Sequence, residues 1–269
     1  MKRNFTLTEL LVVIAIIGIL AGMTMPALSF ARAAGQRTKC INNKANVIKA
    51  MQAYAGSNDE MIPFKLDGKS YAYALVGEAY TQVKNSSRPS GWKYTKSYLQ
   101  PGLLTCTVGN ADYNDASGDT NNAFGMLDVL GDEWTKTNSD STKSIKNWKN
   151  VSGSSIYKQF GRFVVAGSGN NPTDVAYSLG RMKNTSILPL FADSFLKVDD
   201  SDPTPKPRWR FFLLSDPGDN PYVAMMHSGQ STFAYADGSA RAVSAKVAAD
   251  ESGLNYTLNA ELDTPAHAF

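Results

Sequence analysis

Residues 10–31 carry no charged side chain. Within them the run Leu10-Leu11-Val12-Val13-Ile14-Ala15-Ile16-Ile17 is apolar on every side, so it is not the one-sided stripe of a helix lying on a soluble core. As helix, the segment reaches about 33 Å, enough to cross a hydrocarbon layer of about 30 Å. Met1-Lys2-Arg3 lies ahead of it, and a basic leader of this kind stays cytoplasmic and sends the bulk of the chain outward. Two ordinary readings fit this much: a secretory signal peptide, with Ala27-Leu28-Ser29 as a loose small-x-small cleavage site, or a plain uncleaved anchor. Neither accounts for Glu9, an acid at the threshold of the apolar run that costs about 1–3 kcal/mol depending on its depth.

The pattern changes after Arg32. Ile41, Ala45, Ile48, Met51 and Ala55 recur at three- and four-residue steps, with Asn42, Asn43, Lys44, Asn46, Lys49 and Gln52 between them. That spacing predicts an amphipathic helix over 32–55 laid on a globular domain, stopped by Gly56-Ser57-Asn58-Asp59. With the span over 10–31, residues 5–57 then form one N-terminal helical element, about 75 Å of it continuous. Residues 58–269 read as a β-rich globular domain. Tyr71-Ala72-Tyr73-Ala74-Leu75-Val76 suits either a short helix or a strand, and Leu103-Leu104-Thr105-Cys106 reads as a buried strand. Strand signals recur at 162–166, 187–191 and 209–214, whereas 110–160 is polar and aperiodic, an inserted excursion. The end of the domain alternates more regularly. Residues 222–227, 231–236 and 239–243 read as three strands of a hairpin unit over 222–245, with Asp237-Gly238 as a tight turn. The expected fold class is α+β: a long N-terminal helix, half of it transmembrane, packed on an antiparallel sheet.

Charge and composition narrow the chemistry. A net charge of +3 gives no global basic field for nucleic acid, and without Lys2 and Arg3 the chain is almost neutral. Basic and aromatic residues interleave between 143 and 162 (Lys143, Lys146, Trp148, Lys149, Tyr157, Lys158, Phe160, Arg162), a pattern found at single-strand binding surfaces but more often a solvated face. Trp92, Trp134 and Trp209 are the aromatic residues a carbohydrate-binding surface would use. Asp193, Asp199, Asp200 and Asp202 form an acidic cluster, a weak calcium candidate without the twelve-residue spacing of an EF-hand; a solvated loop is the simpler reading. No other cofactor is expected. The chain has two histidines and two cysteines and lacks G-x-S-x-G, H-E-x-x-H and CxxC motifs. His227 and Asp237 would be competent as a general-base pair, but a hairpin Asp accepting turn hydrogen bonds beside a packed His is the simpler role. No catalytic residue and no enzymatic activity are expected.

Asn4-Phe5-Thr6-Leu7-Thr8-Glu9-Leu10-Leu11-Val12-Val13-Ile14-Ala15-Ile16-Ile17-Gly18-Ile19-Leu20 resembles the N-terminal signal of type IV prepilins and type II secretion pseudopilins. Asn4 stands where that family usually has Gly. At the other end, His227, nine intervening residues and Asp237-Gly238 resemble the His-x9-Asp-Gly motif of large pseudopilin-like proteins. The resemblance implies a leader of residues 1–4, cleavage between Asn4 and Phe5 by prepilin peptidase, and N-methylation of Phe5. It implies that Glu9 pairs with the N-terminal amine of a neighbouring subunit, and that Gly18 and Pro26 mark where the helix loosens on assembly. The implied partners are other pilin or pseudopilin subunits and the inner membrane, with the C-terminal domain in the periplasm or in a filament. The subgroup also tends to carry a second cysteine near position 106, which favours a Cys40–Cys106 disulfide in that oxidising space. Such a bridge would close a loop of about 65 residues, worth roughly 4 kcal/mol in the chain-entropy picture. Two unrelated buried thiols remain the other reading. A membrane-anchored module binding carbohydrate or DNA is the alternative function.

Overall fold

The computed structural model describes residues 7–66, 69–77, 96–106, 123–129, 155–166, 174–196, 207–213, 221–258 and 265–267. The leader with Asn4 and Phe5 lies outside them. So do Trp92 and Trp134, most of the 110–160 excursion, and Asp199, Asp200 and Asp202.

Helix α1 runs unbroken from Leu7 to Ala55, through Pro26. Its outer side chains, from Leu7 to Phe30, are exposed, Ile14 by 59% and Phe30 by 76%. Burial begins at Cys40 and continues through Asn43, Lys44, Val47, Ile48, Ala50, Met51 and Ala55. Of the expected stripe, Ile48, Met51 and Ala55 are buried, whereas Ile41 and Ala45 are half-buried. Asn43 and Lys44, expected on the wet face, are also buried. The physical reason is that the docked face, with Cys40, Val47 and Met51 near its middle, is turned relative to the expected stripe, so Asn43 and Lys44 fall inside it and have to find polar partners there. One helix is thus long and apolar enough to cross a membrane, and the same helix supplies a wall of the domain core.

Thirteen short strands among the described residues form three sheets. The first, in order β2-β1-β5-β4, joins β1 (Met61–Leu66), β2 (Lys69–Ser70), β4 (Val164–Ala166) and β5 (Val175–Ser178). The second, in order β11-β10-β6-β3-β8, joins β3 (Gly125–Leu127), β6 (Pro189–Ala192), β8 (Arg210–Phe211), β10 (Gln230–Tyr235) and β11 (Ala240–Ser244). The third, in order β13-β12-β9-β7, joins β7 (Ser194–Phe195), β9 (Tyr222–Ala224), β12 (Tyr256–Leu258) and β13 (Pro265–His267). Most pairings are antiparallel, but β3–β8 and β12–β9 are parallel, so the first sheet is purely antiparallel and the second and third are mixed. Helix α1 packs across β10, β11 and β1. Short helices α2 (Tyr71–Val76), α3 (Ser155–Phe160) and α4 (Ala245–Ser252) complete the α+β fold. The Ser244 hydroxyl accepts from the Val247 amide to start α4, and Gly253 in the left-handed region (φ 75°) ends it.

One open reading is settled and two local expectations change. Residues 71–76 are helix, each side chain buried. The stretch 103–106 is not a strand: Pro101–Leu103 make a 3-10 turn, after which the chain runs irregularly with Leu104 and Cys106 inside. All three strands expected over 222–245 form, as β9, β10 and β11, but only β10 and β11 pair as a hairpin. After β9 the chain reverses through Ser228 and Gly229, both at positive φ, and β9 pairs with β7 and β12 in another sheet. The Asp237-Gly238 turn is as expected. Asp237 Oδ1 accepts from the Ser239 amide at 2.9 Å and its hydroxyl at 2.7 Å, and Gly238 sits at φ 94°. A Cβ on Gly238 would lie 3.1 Å from Gln52 Nε2, so this turn also presses on α1.

A buried polar cluster where the shaft meets the domain

Cys40 and Lys44 are one helical turn apart on α1 and project from the same face. Opposite them lies Asp193, the single residue between β6 of the second sheet and β7 of the third. Lys44 Nζ is 2.5 Å from Asp193 Oδ1 and 2.6 Å from Thr232 Oγ1 on β10. It also sits 3.9 Å from the centroid of the Phe124 ring. The second Asp193 oxygen accepts from the Thr232 amide at 2.8 Å and from the Thr232 hydroxyl at 2.7 Å. Both side chains of the ion pair are fully buried.

A buried ion pair survives only if its remaining donors and acceptors are satisfied. Here the ammonium meets a carboxylate, a hydroxyl and an aromatic face, and the carboxylate collects further donors at its other oxygen. Burial is the strongest single influence on Asp193 and opposes its charge, but the adjacent Lys44 and His227 outweigh it and hold the carboxyl well below the usual carboxylate range. Asp193, grouped by sequence with an acidic loop, is instead the anion of this pair.

His227 closes the cluster from the turn after β9. Its Nε2 lies 3.5 Å from Asp193 Oδ2 and 3.4 Å from Cys106 Sγ. Cys106 follows the 3-10 turn and is held beside α1 by Asn43 Nδ2, which donates to the Thr105 carbonyl at 3.2 Å. Cys40 Sγ, Cys106 Sγ and a ring nitrogen of His227 lie within 4.8 Å of one another. The sequence reading left Cys40 and Cys106 as a bridge or as unrelated thiols; the fold puts them side by side, unbridged. Their protons are unequally shared. A hydrogen bond with Cys106 lowers the Cys40 thiol to about 4, against burial and with help from His227, while the same bond and burial push Cys106 up. Burial works against the charge on His227, but hydrogen bonds to Asp193 and Cys40 carry it up to about 9.

The two motif residues near the C-terminus therefore do different work. His227 faces Asp193 and the thiols, while the Asp237 carboxylate is engaged by its own turn. Sequence reasoning found Cys40, Cys106 and His227 but missed Lys44 and Thr232. A lysine at the edge of an amphipathic stripe looks solvated, and its partner lies 149 positions away. Among the other candidates, Glu9, Gly18 and Pro26 lie on the exposed half of α1. Trp209 packs on Phe64 at 5.1 Å between ring centroids, which makes it part of the core's margin. Comparison with protein-family models, with curated proteins and with solved structures finds no match to this chain.

Proposed function

We propose that this chain is a structural subunit of a type IV pilus-like filament or a type II secretion pseudopilus, acting by assembly rather than by turnover. The observation that carries the reading is the junction of two features in one helix. The prepilin-like run ending at Leu20 contains Glu9, and it opens a helix whose outer half, from Leu7 to Phe30, is apolar and exposed. Such a surface is stable in lipid or among the helices of neighbouring copies, where van der Waals packing supplies the cohesion. In that setting the family resemblance pairs Glu9 with the processed amine of Phe5 in an adjacent subunit, since two opposite charges are tolerated in a low-dielectric bundle when they face each other. The domain then sits on the periplasmic side, fixed to its shaft by the Lys44–Asp193 pair.

The test is the intact mass and N-terminal residue of the protein purified from its native membrane. A chain starting at N-methylated Phe5 is the expected result. A start near Phe30 would mean ordinary signal-peptide removal and overturn the proposal. In the processed protein, Glu9→Leu should leave the domain folded and abolish recovery in filaments.

A further inference from the structure

Two thiols and one imidazole converge from three separate segments: α1, the stretch after the 3-10 turn, and the turn after β9. All three side chains are buried, Cys40 completely. We propose that Cys40, Cys106 and His227 form a binding site for a thiophilic d10 cation, zinc(II), which clamps the shaft to the domain. The proposal goes beyond filament assembly and does not depend on it.

The spacing suits the ion. Zinc bonds of about 2.3 Å to sulfur and about 2.0 Å to nitrogen, at tetrahedral angles, place neighbouring ligand atoms about 3.5–3.8 Å apart. His227 Nε2 and Cys106 Sγ are 3.4 Å apart, and the whole set lies within 4.8 Å, so only a slight closure is needed. The donor types select the metal. Two thiolates and an imidazole favour zinc or another soft ion over calcium or magnesium, which demand oxygen ligands, and two cysteines fall short of the four that an iron–sulfur cluster usually takes.

Charge balance points the same way. Lys44 and Asp193 already neutralise each other. Two thiolates and one divalent cation add no net charge, so occupancy leaves the low-dielectric cluster neutral. A cavity of about 10 Å³, bordered by Thr105, Cys106, Phe124 and Asp193, leaves room for about one water-sized ligand beside the Cys106 thiol. Occupancy would couple the first docked residue of α1 to the β9–β10 turn, so the shaft–domain joint would tighten with metal.

The experiment uses the full chain in detergent micelles, reduced and stripped by chelator, then titrated with cobalt(II) and afterwards with zinc(II). Expected are one cobalt per chain, thiolate-to-cobalt charge-transfer absorption with tetrahedral d–d bands, and displacement of both by zinc. Zinc should also protect both cysteines from alkylation, and chelator should restore their reactivity. Cys106→Ser and His227→Gln, checked for retained fold by circular dichroism, should each weaken binding by at least the ~10–100-fold that loss of an outer-shell partner costs. Wild-type protein with two titratable thiols and no charge-transfer band would overturn the proposal, with no variant needed. So would cobalt binding that survives Cys40→Ser and Cys106→Ser, or native-membrane protein that carries a Cys40–Cys106 disulfide and no metal. None of these readouts depends on where the N-terminus begins, so failure here and failure of the filament reading are separately visible.

Discussion

The two halves of α1 are built from the same backbone and meet opposite surroundings. The outer half presents Leu, Val, Ile and Met on all sides, all exposed; the inner half buries one face, a lysine included. Apolar surface left bare along some twenty residues is unstable in water, so the outer half demands another phase or another molecule. The inner half already has its partner. The lesson concerns charge as much as hydrophobicity: the outer half excludes charge after Glu9, while the inner half accepts Lys44 because a carboxylate, a hydroxyl and an aromatic ring are waiting for it.

The contrast breaks most severely if one member of the ion pair is removed. Asp193→Ala strands a buried ammonium and is expected to destabilise the domain by about 3–5 kcal/mol in denaturant titration of the full chain in micelles. Lys44→Met combined with Asp193→Leu should recover most of that loss, since an apolar pair of similar volume is typically near neutral. Next comes the apolar stripe. Ile48→Ala should cost about 2–4 kcal/mol, whereas Ile14→Ala, on the bare half, should leave domain unfolding unchanged and weaken membrane or filament association instead. Acid sharpens the same comparison. The Asp193 carboxyl titrates lower folded than unfolded, so its contribution is complete above the unfolded value and lost as pH falls below about 4. Urea midpoints should fall over that range in the wild type and much less in the Lys44→Met, Asp193→Leu variant. Gly238→Ala comes last, at about 1–2 kcal/mol, because alanine at φ 94° is strained and its Cβ must move Gln52.

Periodicity carried far in this sequence where a single face met a single environment. The apolar span, the docking stripe at Ile48 and Met51, and the Asp237-Gly238 turn were all legible, because each is decided within a few residues. What stayed hidden was decided across the chain. β9 looks like a neighbour of β10, yet it pairs with β7 and β12, and the choice depends on Ser194 and Thr257, far off in sequence. Residues 103–106 look like a strand by composition, but Pro101 begins a 3-10 turn and the segment is held by the Asn43 side chain instead of a ladder. In the candidate site the thiols and the imidazole stood out by rarity. Lys44, one of many lysines, could be recognised only once Asp193 was seen opposite it.

The separation between Lys44 and Asp193 also dictates an order of events. Chain emerging at about 5–20 residues per second leaves roughly 7–30 s between the synthesis of the lysine and that of its carboxylate. During that interval the apolar shaft is complete and free to enter lipid, while the inner half of the helix has neither β6 nor β10 to lie on. The joint is therefore a late contact of high sequence separation. Its closure is the step that joins a helix made early to a carboxylate made late.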